Sequence, residues 1–249
     1  MTNKFFCKDI TVNLLEKPDK NSNISSQLIY GDKFKILKKK RGYLKIKNSY
    51  DGYIGFVKSI RYIDNFIPTH KVSVLKSKIY TIKNNRIRSL NIFLPFSSKV
   101  NILKKNKNLG MFEKNKWLKL KDLSIDDKKI KNFTYIYKLF LNCPYKWGGM
   151  TFSGIDCSGL IQIFFKYNNK FFPRDTIKQV KFKKGLNSKN IFKKGNIIFW
   201  KGHVAACLSN KNLIHAYGPM KKVVIMPIDK TVKIIKDTAG LKIKKIFSI

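Results

Sequence analysis

Acidic residues are scarce in this 249-residue chain: 14 Asp and Glu stand against 53 Lys and Arg, for a formal net charge of +39. So basic a chain raises nucleic acid as a partner. The excess is lysine spread along the whole chain rather than an arginine-rich face, and it accompanies abundant Asn, Ile and Phe, residues that share A/T-rich codons. A biased genome explains such a composition, so no specific nucleic acid is expected as a partner. What the charge does supply is attraction for ligands that carry several carboxylates. The chain also lacks an apolar run of about 18 residues, so no membrane span is expected. Lys8 and Asp9 interrupt the N-terminal phenylalanines before a signal region of about 7–15 apolar residues can form, and the expected location is cytoplasmic. Four cysteines without CxxC spacing fit reduced thiols better than zinc or a disulfide framework, and neither metal nor cofactor is expected. Histidine is scarcer still, with three in the chain, so each one available to chemistry is conspicuous.

What is present centres on residues 145–165, YKWGGMTFSGIDCSGLIQIFF, where a loop with Gly148, Gly149, Gly154 and Gly159 runs into an apolar stretch. Ser153 or Asp156 can cap a helix that buries Leu160, Ile161, Phe164 and Phe165. Cys157 then falls in the first helical turn, where free N–H groups and the helix dipole favour a thiolate. A cysteine nucleophile needs a partner that takes up and returns protons. Two histidines follow in a region that reads as short strands over 196–200, 203–208 and 213–217, with Ser209, Asn210, Lys211 and Asn212 as a turn. A hairpin folded about residue 209 sets positions 203 and 215 opposite each other on one face, Cβ atoms roughly 4.5–5.5 Å apart. His203 can then face Cys157 while His215 orients its ring, the geometry of a catalytic triad. A slip of one residue would put the two rings on opposite faces. Cys7, Cys143 and Cys207 are expected to be structural, and His70 has no motif around it.

Five motifs in order carry a resemblance over about the last half of the chain: Tyr-x-Trp-Gly-Gly from Tyr145, Gly-x-Asp-Cys-Ser-Gly-Leu from Gly154, Pro-Arg-Asp-Thr-x-x-Gln from Pro173, Gly-Asn-Ile-Ile-Phe-Trp-x-Gly-His-Val from Gly195, and Ile-His-Ala from Ile214. The set resembles the NlpC-type cell-wall cysteine peptidases. That resemblance implies a papain-like core, a Cys157, His203 and His215 triad, and a murein peptide as substrate. It implies that Tyr145 reaches the active site, where its hydroxyl could join the Cys157 N–H in holding an oxyanion. It further implies that Asp156 and Ser158 bind a free substrate amine, that Thr176 contacts substrate in place of the family's serine, and that Tyr53 closes the amine pocket. Arg174 is a candidate for a substrate carboxylate, and equally for a structural ion pair. The implied reaction is hydrolysis of the γ-D-glutamyl–diamino acid bond in murein peptides with a free N-terminal L-alanine, in cell-wall recycling. An N-acetylmuramoyl-L-alanine amidase of the same fold, or a catalytically inactive wall-binding protein, is the alternative.

Ahead of this region the chain alternates apolar and polar residues between turns. Phe34 and Ile36, then Leu44 and Ile46, mark strands in residues 1–64, with turns at Tyr30-Gly31-Asp32 and Tyr50-Asp51-Gly52. Residues 65–125 repeat the plan loosely, 30–37 answering to 95–103 and 43–46 to 117–120. The expected fold is α+β: SH3-like β-barrels at 1–64 and 65–125, joined through 65–68 and 124–129 to a papain-like peptidase domain at 126–249. That domain is expected to open with a helix burying Phe133, Ile136, Tyr137 and Phe140, ended by Pro144, and to carry a loop through 168–194.

Overall fold

The computed structural model describes residues 4–182, 184–185 and 192–249. Its contacts divide the chain into two units, Met1–Lys129 and Ile130–Ile249. Strands dominate, with α-helices confined to the second unit among the described residues. None of these helices is long and apolar enough to cross a membrane.

The first unit begins with a seven-stranded sheet ordered Ile24–Ile29, Thr11–Leu15, Ile54–Val57, Tyr43–Asn48, Lys33–Lys40, Lys4–Cys7, Tyr62–Ile63. The apolar member of each alternation points inward, so Val12, Leu14, Leu28, Phe34, Ile46 and Val57 fill one core. The turn before Ile54–Val57 is set by Gly52 at φ +73, a left-handed position that suits glycine. A five-stranded sheet follows, ordered Arg86–Pro95, Lys76–Lys83, Lys116–Lys119, Leu109–Glu113, Lys104–Asn106, with a three-stranded sheet of Lys99–Val100, His70–Val72 and Leu123–Ile125. Their core takes in Val72, Ile79, Leu94, Phe112 and Leu118 together with Tyr30 from the preceding segment. The Tyr30 hydroxyl donates to Glu113 Oε1 at 2.9 Å. Two details depart from the sequence reading. Tyr43–Asn48 is the second strand of its meander, whereas Lys116–Lys119 is the third of its own, so the strand answering to 43–46 by pairing order is Leu109–Glu113. Residues 124 and 125, expected in a linker, pair with His70–Val72.

The second unit opens with helix α1, Phe133–Leu139, whose N-cap Asn132 accepts from Tyr135 N. Ile136, Tyr137 and Phe140 are buried as the apolar spacing requires, whereas Phe133 is half-buried and the helix ends at Leu139, ahead of the expected stop at Pro144. Helix α2, Cys157–Tyr167, is buried along its whole length. Within the expected loop through 168–194 lies a further short helix, α3, Thr176–Phe182; residues 183 and 186–191 of that stretch lie outside the described residues. An antiparallel sheet follows, ordered Lys222–Pro227, Asn212–Tyr217, His203–Cys207, Asn196–Trp200, Lys245–Ser248. One face of this sheet packs Ile198, Trp200, Ala205, Cys207, Leu213 and Val224 against Ile228 and Ile235 of helix α4, Ile228–Ala239. On the other face Phe247 meets Phe172, which stacks on Phe165 of α2 with ring centroids 4.1 Å apart. The sheet is therefore covered on both sides, and α2 is held against it.

Candidate active site

Asp156 fixes where α2 begins. In extended backbone conformation, it turns its carboxylate back to accept the Gly159 N–H at 2.7 Å, an N-cap that leaves Cys157 as the first helical residue. The preceding loop closes on itself so tightly that a Cβ at Gly149 would run into the Gly154 carbonyl. Cys157 is 5% exposed. Its Sγ lies 4.0 Å from Gly202 O and receives the backbone N–H groups of Val204 and Ser158, so the sulfur rests on the backbone either side of His203. The expectation of a resting thiolate is not met. Burial pushes the Cys157 thiol up to about 12 and the Asp156 carboxylate adds to the rise, while the two N–H groups and Arg174 pull more weakly the other way.

His203 starts its strand and His215 lies mid-strand in Asn212–Tyr217. The register pairs Cys207 with Leu213 and Ala206 with Ile214, which places His215 opposite residue 205 and His203 opposite 217. The expected 203–215 pairing is thus displaced by two residues. A three-residue turn causes this: Leu208 N donates to Asn212 O, and Ser209 Oγ accepts from the N–H groups of Lys211 and Asn212, so the hairpin folds about residue 210. A shift of two preserves side-chain parity, and the histidines still share a face as diagonal neighbours. His203 Nε2 and His215 Nδ1 are 2.9 Å apart. Tyr217 stacks on His215 at 4.6 Å and 13°, and Trp200 and Tyr217 both flank His203. His215 Nε2 reaches Met226 Sδ at 3.3 Å. Burial lowers His203 to about 4; burial and then its histidine neighbour lower His215 to about 3. Both rings are neutral at pH 7. Among the described residues no cluster of three or more His, Cys, Asp or Glu could hold a metal.

Asp156 does more than cap the helix. Arg174, 2% exposed, donates from Nη1 to Asp156 Oδ1 at 2.9 Å and from Nη2 to Oδ2 at 2.6 Å, and reaches Ser158 Oγ and Gly149 O as well. The same carboxylate accepts from Gly148 N, Gly159 N and Ser158 Oγ. Arg174 therefore takes the structural ion-pair role of its two sequence readings, since a guanidinium buried among these partners is not presented to a ligand carboxylate. Gln179, from the same motif, ties this knot to α2 by donating to Ser158 O and Pro173 O. Thr176 opens α3 and is half-buried. Tyr145 is half-buried too; burial and then the nearby Cys157 sulfur push its hydroxyl up to about 12, which places the phenol within electrostatic reach of that sulfur. Next to it Trp147 is 63% exposed. Tyr53 belongs to the other unit, in the turn before Ile54–Val57, where its N–H donates to Asp51 Oδ1. The sequence reading missed Met226 and Tyr217 altogether, because nothing in their own sequence surroundings marks them. Gln179 was visible only as the last residue of a motif.

Residues 142–238 match the NlpC/P60 family, and residues 14–59 match the bacterial dipeptidyl-peptidase Sh3 domain. The γ-D-glutamyl-L-lysine dipeptidyl-peptidase of Bacillus subtilis (strain 168) is 33% identical over 101 residues, 37% of this chain and 34% of the relative. Its namesake from Bacillus cereus (strain ATCC 10987 / NRS 248) is 32% identical over 113 residues, 42% of this chain and 33% of the relative. The matches thus span about a third of the length of these curated relatives. A crystal structure of an NlpC/P60 family protein from Bacillus cereus ATCC 10987 superposes with a TM-score of 0.78 at 20% identity, over 91% of this chain and 94% of that one, which shows a shared fold.

Proposed function

For a chain that carries an NlpC/P60 domain behind a bacterial SH3 domain, we propose that it is a cysteine endopeptidase hydrolysing the γ-D-glutamyl–diamino acid bond of murein peptides with a free N-terminal L-alanine. The observation that carries this reading is Cys157 at the first position of α2, its sulfur on the backbone flanking His203, with His203 bonded to His215. In the proposed reaction Cys157 Sγ attacks the γ-carbonyl carbon of the D-glutamyl residue, and the thiol proton passes to His203 Nδ1. The oxyanion accepts hydrogen bonds from the Cys157 N–H and the Tyr145 hydroxyl. His203 then protonates the leaving amine, which departs, and afterwards takes a proton from the water that hydrolyses the thioester. Asp156, which caps α2 beside Cys157, is the proposed acidic partner of the substrate ammonium. Ser158 and Thr176 complete the proposed amine recognition within the peptidase unit. The names of the Bacillus relatives support this bond and the dipeptide product. A site that reads a free amine acts on fragments already released from the wall, which fits recycling of wall peptides in the cytoplasm.

The test is mass spectrometry of the full chain incubated with L-Ala-γ-D-Glu-diaminopimelate and with its N-acetylated form. Release of L-Ala-D-Glu from the free-amine peptide alone is the expected result. Cleavage of both would remove the amine requirement, and cleavage of neither would sink the endopeptidase reading.

A pH profile follows from the electrostatics. Below the lowered pKa of His203, imidazolium cannot accept the thiol proton, so kcat/KM falls towards acid. Above the raised pKa of Cys157, the thiolate can still attack but leaves the imidazole without a proton for the leaving amine, so kcat/KM falls towards alkali. Between these limits the neutral pair is intact and Tyr145 keeps its proton, so kcat/KM is expected to stay flat from about pH 6 until the substrate's α-amino group, with an ordinary pKa of about 8, loses the charge the site reads. Ultraviolet thiolate absorbance from the resting protein near pH 6, absent in Cys157→Ala, would instead indicate a resting thiolate–imidazolium pair, which persists between a lowered cysteine pKa and a raised histidine pKa.

A further inference from the structure

We infer that Met226 is a positioning residue of the peptidase site, its thioether selecting the one proton arrangement of the His203–His215 pair that leaves His203 able to act as a base. The inference rests on the peptidase reading for its catalytic consequence, though not for the hydrogen-bond geometry itself.

His203 Nε2 and His215 Nδ1, 2.9 Å apart, hold one proton between them when both rings are neutral. Two arrangements satisfy that bond. In the first, His203 carries its proton on Nε2 and donates; its Nδ1 is then a bare lone pair, and His215 carries its proton on Nε2. In the second, His215 donates from Nδ1, His203 carries its proton on Nδ1, and neither the shared nitrogen nor Nδ1 of His203 can take a proton from a thiol. Distance alone does not distinguish them. The far side of His215 does. His215 is fully buried, so its Nε2 has no water to turn to, and the atom it meets is Met226 Sδ at 3.3 Å. A thioether has lone pairs and no proton to give. It can accept from a His215 Nε2–H, and it offers nothing to a bare Nε2. The first arrangement pairs both nitrogens of His215 and Nε2 of His203, whereas the second leaves the buried His215 Nε2 lone pair facing another lone pair.

The fold holds this contact in place. Met226 lies in the Lys222–Pro227 strand, which pairs residue for residue with the strand of His215: His215 is opposite Val224, and Met226 is opposite Leu213. Met226 is therefore a diagonal neighbour of His215 on the same face, as His203 is on the other side. Tyr217, stacked on His215 at 4.6 Å, keeps the ring from turning out of line. Three adjacent strands thus carry one line of proton donors and acceptors, Met226 to His215 to His203.

The test uses the full-length protein with Met226→Leu, close in volume but without an acceptor, and Met226→Gln, whose Oε1 can accept the same proton. Long-range ¹H–¹⁵N spectra of the histidine rings, recorded without substrate, are expected to show both His203 and His215 protonated on Nε2 in the wild type. Met226→Leu is expected to populate the Nδ1–H form of His215 and to lower kcat about three- to tenfold with KM unchanged. Met226→Gln is expected to return the wild-type tautomers. Wild-type tautomers retained in Met226→Leu would overturn the inference and leave Met226 as packing alone. Because the spectra need no substrate, a tautomer change in a protein that cleaves no murein peptide would keep the relay and reject the proposed function.

Discussion

Arg174→Met is expected to destabilise the protein by about 3–5 kcal/mol, through the buried charge it leaves behind rather than the bonds it removes. Asp156 and Arg174 are both almost wholly enclosed, and their two oxygens and two terminal nitrogens meet in a parallel pair at 2.6 and 2.9 Å. Removing the guanidinium strands a carboxylate in a place water does not reach. Gly148 N, Gly159 N and Ser158 Oγ still donate to it, which softens the loss without neutralising the charge. Asp156→Asn is expected to be comparably costly for the mirror reason, with the added loss of a charged N-cap on α2. The double variant should lose clearly less than the sum of the two, since it strands neither charge. Denaturant melts of the four proteins test this as a double-mutant cycle. A melt of Arg174→Met within about 0.5 kcal/mol of wild type would mean that the pair is not closed in solution.

That pair also marks the limit of what the sequence could tell. Eighteen positions separate the partners, and the order of motifs announced both residues while saying nothing of their being joined. Legibility was high where one local cause governs. The cap at Asp156 and most of the apolar spacing of α1 follow from neighbouring residues and are found, whereas α2 is buried all round and not on its apolar face alone. The histidine hairpin was half legible: turn composition located it, but Ser209, Asn210, Lys211 and Asn212 permit more than one loop length, and the hydrogen bonds of Ser209 Oγ chose. Shared parity survived because the displacement was even. Helix α3 went unread since seven residues show too little period, and its Gln179 is held by carbonyls of Ser158 and Pro173 that only the folded chain brings near. The state of Cys157 failed for a plainer reason. A helix N-terminus is visible in sequence, whereas the burial that raises the thiol is a property of everything packed around it.

Cys157→Ala is expected to lower kcat on a murein tripeptide by about 10⁴–10⁶-fold, and His203→Ala by a similar amount. In the proposed reaction the two act on a single event. With both groups neutral at rest, the sulfur becomes nucleophilic only as its proton leaves for the imidazole, so deleting either member removes the whole step. The double variant should consequently be no worse than the weaker single one, a non-additivity that two independently useful residues would not produce. His215→Ala belongs to another class. It leaves the proposed nucleophile and base in place but frees the His203 ring, which His215 holds at 2.9 Å, so a smaller loss of about 10²–10³-fold is expected. Steady-state kinetics on the four variants, each checked for a wild-type melt, would decide. Additive losses for Cys157→Ala and His203→Ala would sink the concerted dyad. A His215→Ala loss as large as that of Cys157→Ala would promote His215 from holding the base to sharing in the proton transfer itself.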